Sequence, residues 1–216
     1  MVALQMKPEY GPTLGRLLQP RWRSASRLAR AAVIAAGVAL LVGVLAAVLT
    51  LENASFSYGG RVPFSFEYRD LYRVARDPGG YVKVARRRSD GRLEDSFAVE
   101  PLRLQPYSVG LSAELPLYAA GYIRELGSRY EGFVLRGEGK TKVNTVPAYA
   151  VFYTALVEGQ TMYGRDILLL PERPGAREGV DIVLLTSASE SSESATPAEV
   201  GTTGVLQRPL RSFTFG

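Results

Sequence analysis

Along this chain the spacing of hydrophobic residues changes character several times, and each change predicts an element. From Ala31 to Leu51 (AAVIAAGVALLVGVLAAVLTL) 21 residues run uncharged and mostly apolar, with no polar stripe. That length matches the ~20 residues a helix needs to cross a hydrocarbon core and exceeds the ~7 to 15 of a signal-peptide apolar region. One transmembrane helix over 31–51 is predicted. The tripeptides at 45–47 (Leu-Ala-Ala) and 52–54 (Glu-Asn-Ala) each lack a small first residue for cleavage, so a retained anchor is expected.

Beyond it, 52–60 reads as a polar tether, and 61–216 as one folded domain. In Pro63 to Tyr68 the aromatic residues Phe64, Phe66 and Tyr68 alternate with smaller or polar ones, the mark of a strand. Asp77-Pro-Gly-Gly80 is a turn, Tyr81 to Ala85 alternates again, and Leu93 to Leu104 is extended but interrupted by Pro101. Between Ser112 and Tyr130 the period becomes helical, with Leu115, Tyr118, Ala119, Tyr122, Ile123 and Leu126 on one face. Strands are then predicted over 132–135, 141–143, 148–157, 160–170 and 180–187, with Glu158-Gly159 turning a hairpin. Pro171 to Gly179 is a second turn region. Ser187 to Glu199 is rich in Ser and Glu and reads as a mobile loop, after which Val200 to Gly216 fits a short helix and a terminal strand. Sequential strands joined by tight turns, with one main helix and a short C-terminal one, predict an α+β domain on an antiparallel sheet.

Charge refines the topology. The chain carries +5, but residues 1–30 hold Lys7, Arg16, Arg21, Arg23, Arg27 and Arg30 against Glu9, leaving twenty residues of each sign in 52–216. Cytoplasmic flanks carry the basic excess, so 1–30 is expected inside, in contact with the bilayer surface, and the domain outside the cell membrane. A domain without net charge lacks the footprint of a nucleic-acid binder. Arg outnumbers Lys 22 to 4, a composition that GC-rich codons give and that points to a bacterium of actinobacterial kind.

Candidate chemistry is sparse. With no Cys and no His, disulfides, His/Cys zinc sites, Ser-His-Asp and Cys-His catalysis are excluded, and no cofactor is implied. Gly137-Glu-Gly-Lys-Thr141 imitates a phosphate-binding loop, but Val134 stands where a glycine is needed and no helix follows, so a Gly-rich hairpin turn is expected. Two polar groups are candidates for a partner surface: Arg86, Arg87 and Arg88 at a strand end, with Glu94 and Asp95 across the turn, and Tyr163, Arg165 and Asp166 in a hairpin. Within the apolar run Ala31, Ala35, Ala39, Gly43 and Ala47 share one helix face, which allows close helix packing and a homo-oligomer in the membrane.

Three segments resemble the family of Mog1, PsbP and envelope lipoproteins of the LpqN type. Val62-Pro-Phe-Ser-Phe-Glu-Tyr68 is similar to its opening strand, Tyr149 to Leu170 to its central hairpin, and Leu210-Arg-Ser-Phe-Thr-Phe215 to its ending. The likeness covers roughly residues 57 to 216, departing from the family in its lack of a Trp after the first strand and in its short closing helix. It implies a non-catalytic accessory domain that binds a protein or an envelope component. Two other readings stay open. One is a structural subunit of a secretion or transport apparatus on the VirB8-type or Mce-associated plan, whose domains begin with a helix. The other is a wall hydrolase, which needs an open cleft with two acids about 5 to 9.5 Å apart.

Overall fold

A computed structural model of the chain describes residues 26–49, 53–75, 79–103, 111–170, 178–189 and 193–215. It divides at Leu51 into two units. The first contains helix α1 (Arg27–Leu49). Every described side chain of Ala31 to Gly43 is exposed; Val33, Ile34, Val38, Leu40, Leu41 and Val42 cover somewhat more than half of the circumference, Ala35, Ala36, Ala39 and Gly43 fill the remainder, and no side is polar. Among the described residues no helix is long and apolar enough to cross a membrane; the side chains described in the apolar part of α1 end at Gly43. Ala47 and residues 50–51 lie outside the described side chains.

The second unit is α+β. It comprises β1 (Asn53–Tyr58), β2 (Phe64–Arg69), β3 (Arg73–Ala75), β4 (Val82–Arg87), β5 (Leu93–Arg103), α2 (Leu111–Arg129), β6 (Glu131–Val143), β7 (Val146–Val157), β8 (Gln160–Leu169) and β9 (Glu178–Ser187). A 3₁₀ turn (Pro197–Glu199), α3 (Gln207–Ser212) and β10 (Thr214–Phe215) complete it. The strands form two sheets, β1-β2-β10 and β3-β4-β5-β9-β8-β7-β6, and every pairing between them is antiparallel.

The larger sheet is buried on both faces, which is why β7, β8 and β9 read as nearly unbroken apolar runs. On one face Val84, Phe97, Val99, Ile167, Ile182 and Leu184 pack against Phe64, Phe66 and Tyr68 of the small sheet and against Val200, Leu206 and Phe213. On the other, Ala98, Val151, Tyr153, Leu168, Val183 and Leu185 pack against Ala119, Tyr122 and Leu126 of α2. The three helix residues fall at the i, i+3, i+7 spacing that the helical period predicts.

The β7–β8 hairpin turns as expected through Glu158 (φ 52°) and Gly159 (φ 74°), the pair of left-handed residues that a two-residue hairpin requires. Three expectations are corrected. The tether over 52–60 is mostly strand β1: Ala54, Phe56 and Tyr58 turn toward the core while Asn53, Ser55 and Ser57 face solvent. Asn-Ala-Ser-Phe-Ser-Tyr alternates polar and apolar residues strictly, a period of two that the polar composition of 52–60 outweighs in the reading as a tether. Gly137 to Thr141 is not a turn but the middle of β6, paired from Gly137↔Phe152 to Thr141↔Ala148, and the chain reverses at Asn144 (φ 53°) instead. In the Ser/Glu segment 187–199, expected to be mobile, residues 190–192 lie outside the described residues and the rest is held. Glu193 accepts from the Val205 amide at 2.6 Å, and Glu199 from the Ala195 amide at 2.8 Å.

Candidate functional site

The carboxylates that the fold brings together are Asp166 on β8 and Asp181 on β9. Asp166 is paired with Val183 and Asp181 with Leu168, so the acids are diagonal neighbours on the α2 face. Both are shut off from water, at 0 and 2 % exposure. Tyr122 of α2 reaches down between them: its hydroxyl lies 2.7 Å from Asp166 Oδ2 and also hydrogen-bonds Asp181 Oδ2. Tyr153 of β7 donates to Asp166 Oδ1 at 2.9 Å. Directly across from Tyr153 stands Gly164, whose missing side chain makes room for the ring.

One phenol carries one proton, so Tyr122 can donate to only one carboxylate and must accept from the other. The arrangement therefore needs one acid protonated. Burial pushes both upward: Asp166, opposed by its two tyrosine donors, rises to about 7, and Asp181, raised also by the neighbouring Asp166 charge, goes well above the ordinary carboxylate range. Tyr122 therefore links two carboxyl groups that share a proton between them, and the two acids titrate as a pair. At the rim Arg129 bridges Glu125 (3.1 Å) and Glu100 (3.4 Å), the latter opposite Asp181 on β5. The network fastens α2 to the sheet. It offers no open position for a substrate.

The sequence-predicted residues are placed differently. Arg86 turns onto Asp95, with Nε at 2.8 Å from Oδ2, and onto Glu94 at 3.5 Å, as the charges across the turn led one to expect. Arg87 holds Glu158 with two bonds of 2.8 and 2.7 Å, and Arg88 donates to Ser189 at 2.6 Å. The triplet therefore ties the end of β4 to the β7–β8 turn and to the end of β9. Tyr163, Arg165 and Asp166 do not form one exposed surface. Strand alternation sends Arg165 to the small-sheet side, where it is 8 % exposed, lies over the Phe152 ring at 5.3 Å and donates to the Val200 carbonyl at 3.0 Å. Tyr163 packs half-buried against that same core, and Asp166 faces α2. Asp181 was missed. Its signal is a lone acid within Val180-Asp-Ile-Val-Leu-Leu185, since a charge in a fully buried strand must find a partner.

Among solved structures with similar folds is LpqN of Mycobacterium tuberculosis, described as involved in cell envelope biogenesis. It is 10% identical, covers 76% of this chain and 91% of its own, and superposes with a TM-score of 0.51. Cyanobacterial PsbP of Synechocystis follows at 12% identity, 77% and 94% coverage and 0.49, and the Ran-binding protein Mog1p of Saccharomyces cerevisiae at 16%, 76% and 96%, and 0.48. The domain shares its overall fold with LpqN. At such identities the likeness concerns the fold alone. No protein-family model matches the sequence, and no curated protein sequence matches it. Of the three segments read from the sequence as family-like, the opening strand expected at 62–68 is β2, second after β1; the expected hairpin is β7–β8; and the ending is α3 with β10.

Proposed function

We propose that this chain is a single-pass protein of a bacterial cell membrane. Residues 1–30 are cytoplasmic, Ala31 to Leu51 span the bilayer, and the Mog1/PsbP-like domain outside binds a protein or cell-envelope component in a non-catalytic, accessory role. The observation that carries the anchoring is the circumference of α1. Val33, Ile34, Val38, Leu40, Leu41 and Val42 are each more than half exposed, and a helix apolar on all sides needs lipid or protein around it. The accessory role is supported by the fold shared with LpqN, the envelope-biogenesis protein. It is supported also by the closure of Asp166 and Asp181 beneath Tyr122, which is not the open acid pair that a wall hydrolase would use. Element order favours it over an apparatus subunit of the VirB8-type or Mce-associated plan, because five strands precede α2.

Three measurements test this reading. Carbonate extraction should leave the protein in the membrane pellet, and protease added to intact spheroplasts should digest the domain but spare the N-terminal tail. Release by carbonate, or a protected domain, would overturn the anchoring. In-cell cross-linking followed by purification should recover the same envelope partner repeatedly, and recovery of none across trials would overturn the binding role.

A further inference from the structure

A cleft of about 400 Å³ lies between the end of β2 and α3. Three guanidinium groups line it, Arg69 from the strand and Arg208 and Arg211 from the helix, together with Gln207, Ser212 and one acid, Glu67. Arg208 binds Glu67 at 2.7 Å. Arg69 and Arg211 have no ion pair among the described residues. In a domain with balanced total charge, this leaves two uncompensated guanidiniums facing one concavity.

Their positions are held by the fold. Pro209 is buried and Leu210 packs on the core, while Ser212 Oγ accepts from the Glu67 amide at 2.8 Å and donates to the Arg208 carbonyl at 2.8 Å. The wall carrying Arg208 and Arg211 is thus bonded to the strand carrying Arg69. With the backbone of both walls held, the guanidiniums present forked N–H donors that match the oxygens of a phosphate ester, and Gln207, which gives one amide hydrogen to the Thr202 carbonyl, has a second for the same ligand. Arg69 is also paired with Asn53, the first residue of β1. In the sequence a single residue separates Asn53 from Leu51, so the strand beside Arg69 is the one that continues directly from the apolar run.

We infer that the Arg69–Arg208–Arg211 cleft binds a phosphate group, and that the phosphate is the headgroup of an anionic phospholipid in the membrane that anchors the chain. The lipid source rests on the anchoring proposed above; the phosphate site does not. The test uses the full-length protein and amide hydrogen exchange of residues 66–70 and 207–212. In nanodiscs containing phosphatidylglycerol, exchange in both segments should slow at least ~3-fold relative to phosphatidylcholine discs. The Arg69→Gln/Arg211→Gln variant, whose circular dichroism should match the parent, should lose the difference, and Arg211→Lys should keep part of it. A parallel arm titrates inorganic phosphate into the protein in neutral detergent. Protection by phosphate without protection by phosphatidylglycerol would overturn the lipid and leave a soluble phosphate ester as ligand. If the protein does not enter discs at all, the anchoring fails, and the detergent arm still decides the cleft. No protection in either arm overturns the site.

Discussion

Replacing Gly164 by Ala should be among the most damaging single-methyl additions in the domain. A Cβ built there would lie 2.3 Å from Cε2 and from Cζ of Tyr153 and 2.8 Å from Cδ2, whereas carbon atoms rest about 3.5 to 4.0 Å apart. The ring would have to move by more than an ångström. It is fully buried, stacked on Tyr130 (centroids 5.6 Å apart) and packed at a tilt against Phe133 (5.3 Å), so a movement of that size disturbs its neighbours. A shift of that size also breaks the 2.9 Å bond from Tyr153 to Asp166. Overpacking costs about 1 to 3 kcal/mol and the lost bond to a carboxylate about 1.5 to 3, against a gain of about 0.5 to 1 from removing a strand glycine. The net expectation is a loss of about 2 to 5 kcal/mol. Urea unfolding of the detergent-solubilised protein, followed by far-ultraviolet circular dichroism, measures it. Gly139→Ala, with nothing within 4 Å of the new methyl, is the control and should shift the midpoint little. In a Tyr153→Ala background the ring is gone, so Gly164→Ala should add almost nothing. Equal costs in both backgrounds would refute the steric account.

Other consequences can be measured with the same protein. Because burial raises Asp166 to about 7 and Asp181 further, the folded domain holds protons that unfolded carboxyls release near pH 4. Their contribution is fully present below about pH 4; the share of Asp166 is lost as the pH rises through about 7 and that of Asp181 goes on being lost above it, so the urea midpoint should fall from about pH 4 to beyond 7, Asp181→Asn should flatten the fall, and identical slopes would contradict the shared-proton network. Asp95→Ala strips the buried acceptor of both Arg86 (2.8 Å) and Thr186 (2.6 Å) and should cost about 2 to 4 kcal/mol in the same unfolding assay. Arg87→Ala, whose pair with Glu158 is half exposed on each side, should leave the midpoint unchanged, and a loss as large as that of Asp95→Ala would count against the distinction between buried and exposed pairs. In membranes, Gly43→Ile should lower any cross-linked dimer by blocking the Ala35–Ala39–Gly43–Ala47 face, and an unchanged dimer fraction would reduce that segment to an anchor.

Much of the domain is legible from local spacing. The helical period around Ala119, Tyr122 and Leu126 identifies α2 and its buried face, and Glu158-Gly159 between two β-rich runs identifies the hairpin, because side-chain period and turn chemistry are properties of neighbouring residues. Composition misleads where it is weighed above period, as in Asn53 to Tyr58, whose polar residues alternate with Ala54, Phe56 and Tyr58, and glycines mislead as a turn signal when they lie within a long strand, as in Gly137 to Thr141.

The candidate sites were less legible. Tyr163, Arg165 and Asp166 are adjacent in sequence, yet successive strand residues face opposite ways, so Arg165 and Asp166 end on different sides of the sheet. By itself the sequence determined the main helix α2 and its buried face, the β7–β8 hairpin, the apolar run from Ala31 to Leu51 and the absence of His and Cys chemistry. Only the tertiary structure decided that Asp166 and Asp181 meet at Tyr122 and that Arg69 meets Arg208 and Arg211. Those meetings depend on the cumulative register of many strand pairings and on how completely other atoms exclude water, and neither quantity is held by any local stretch of residues.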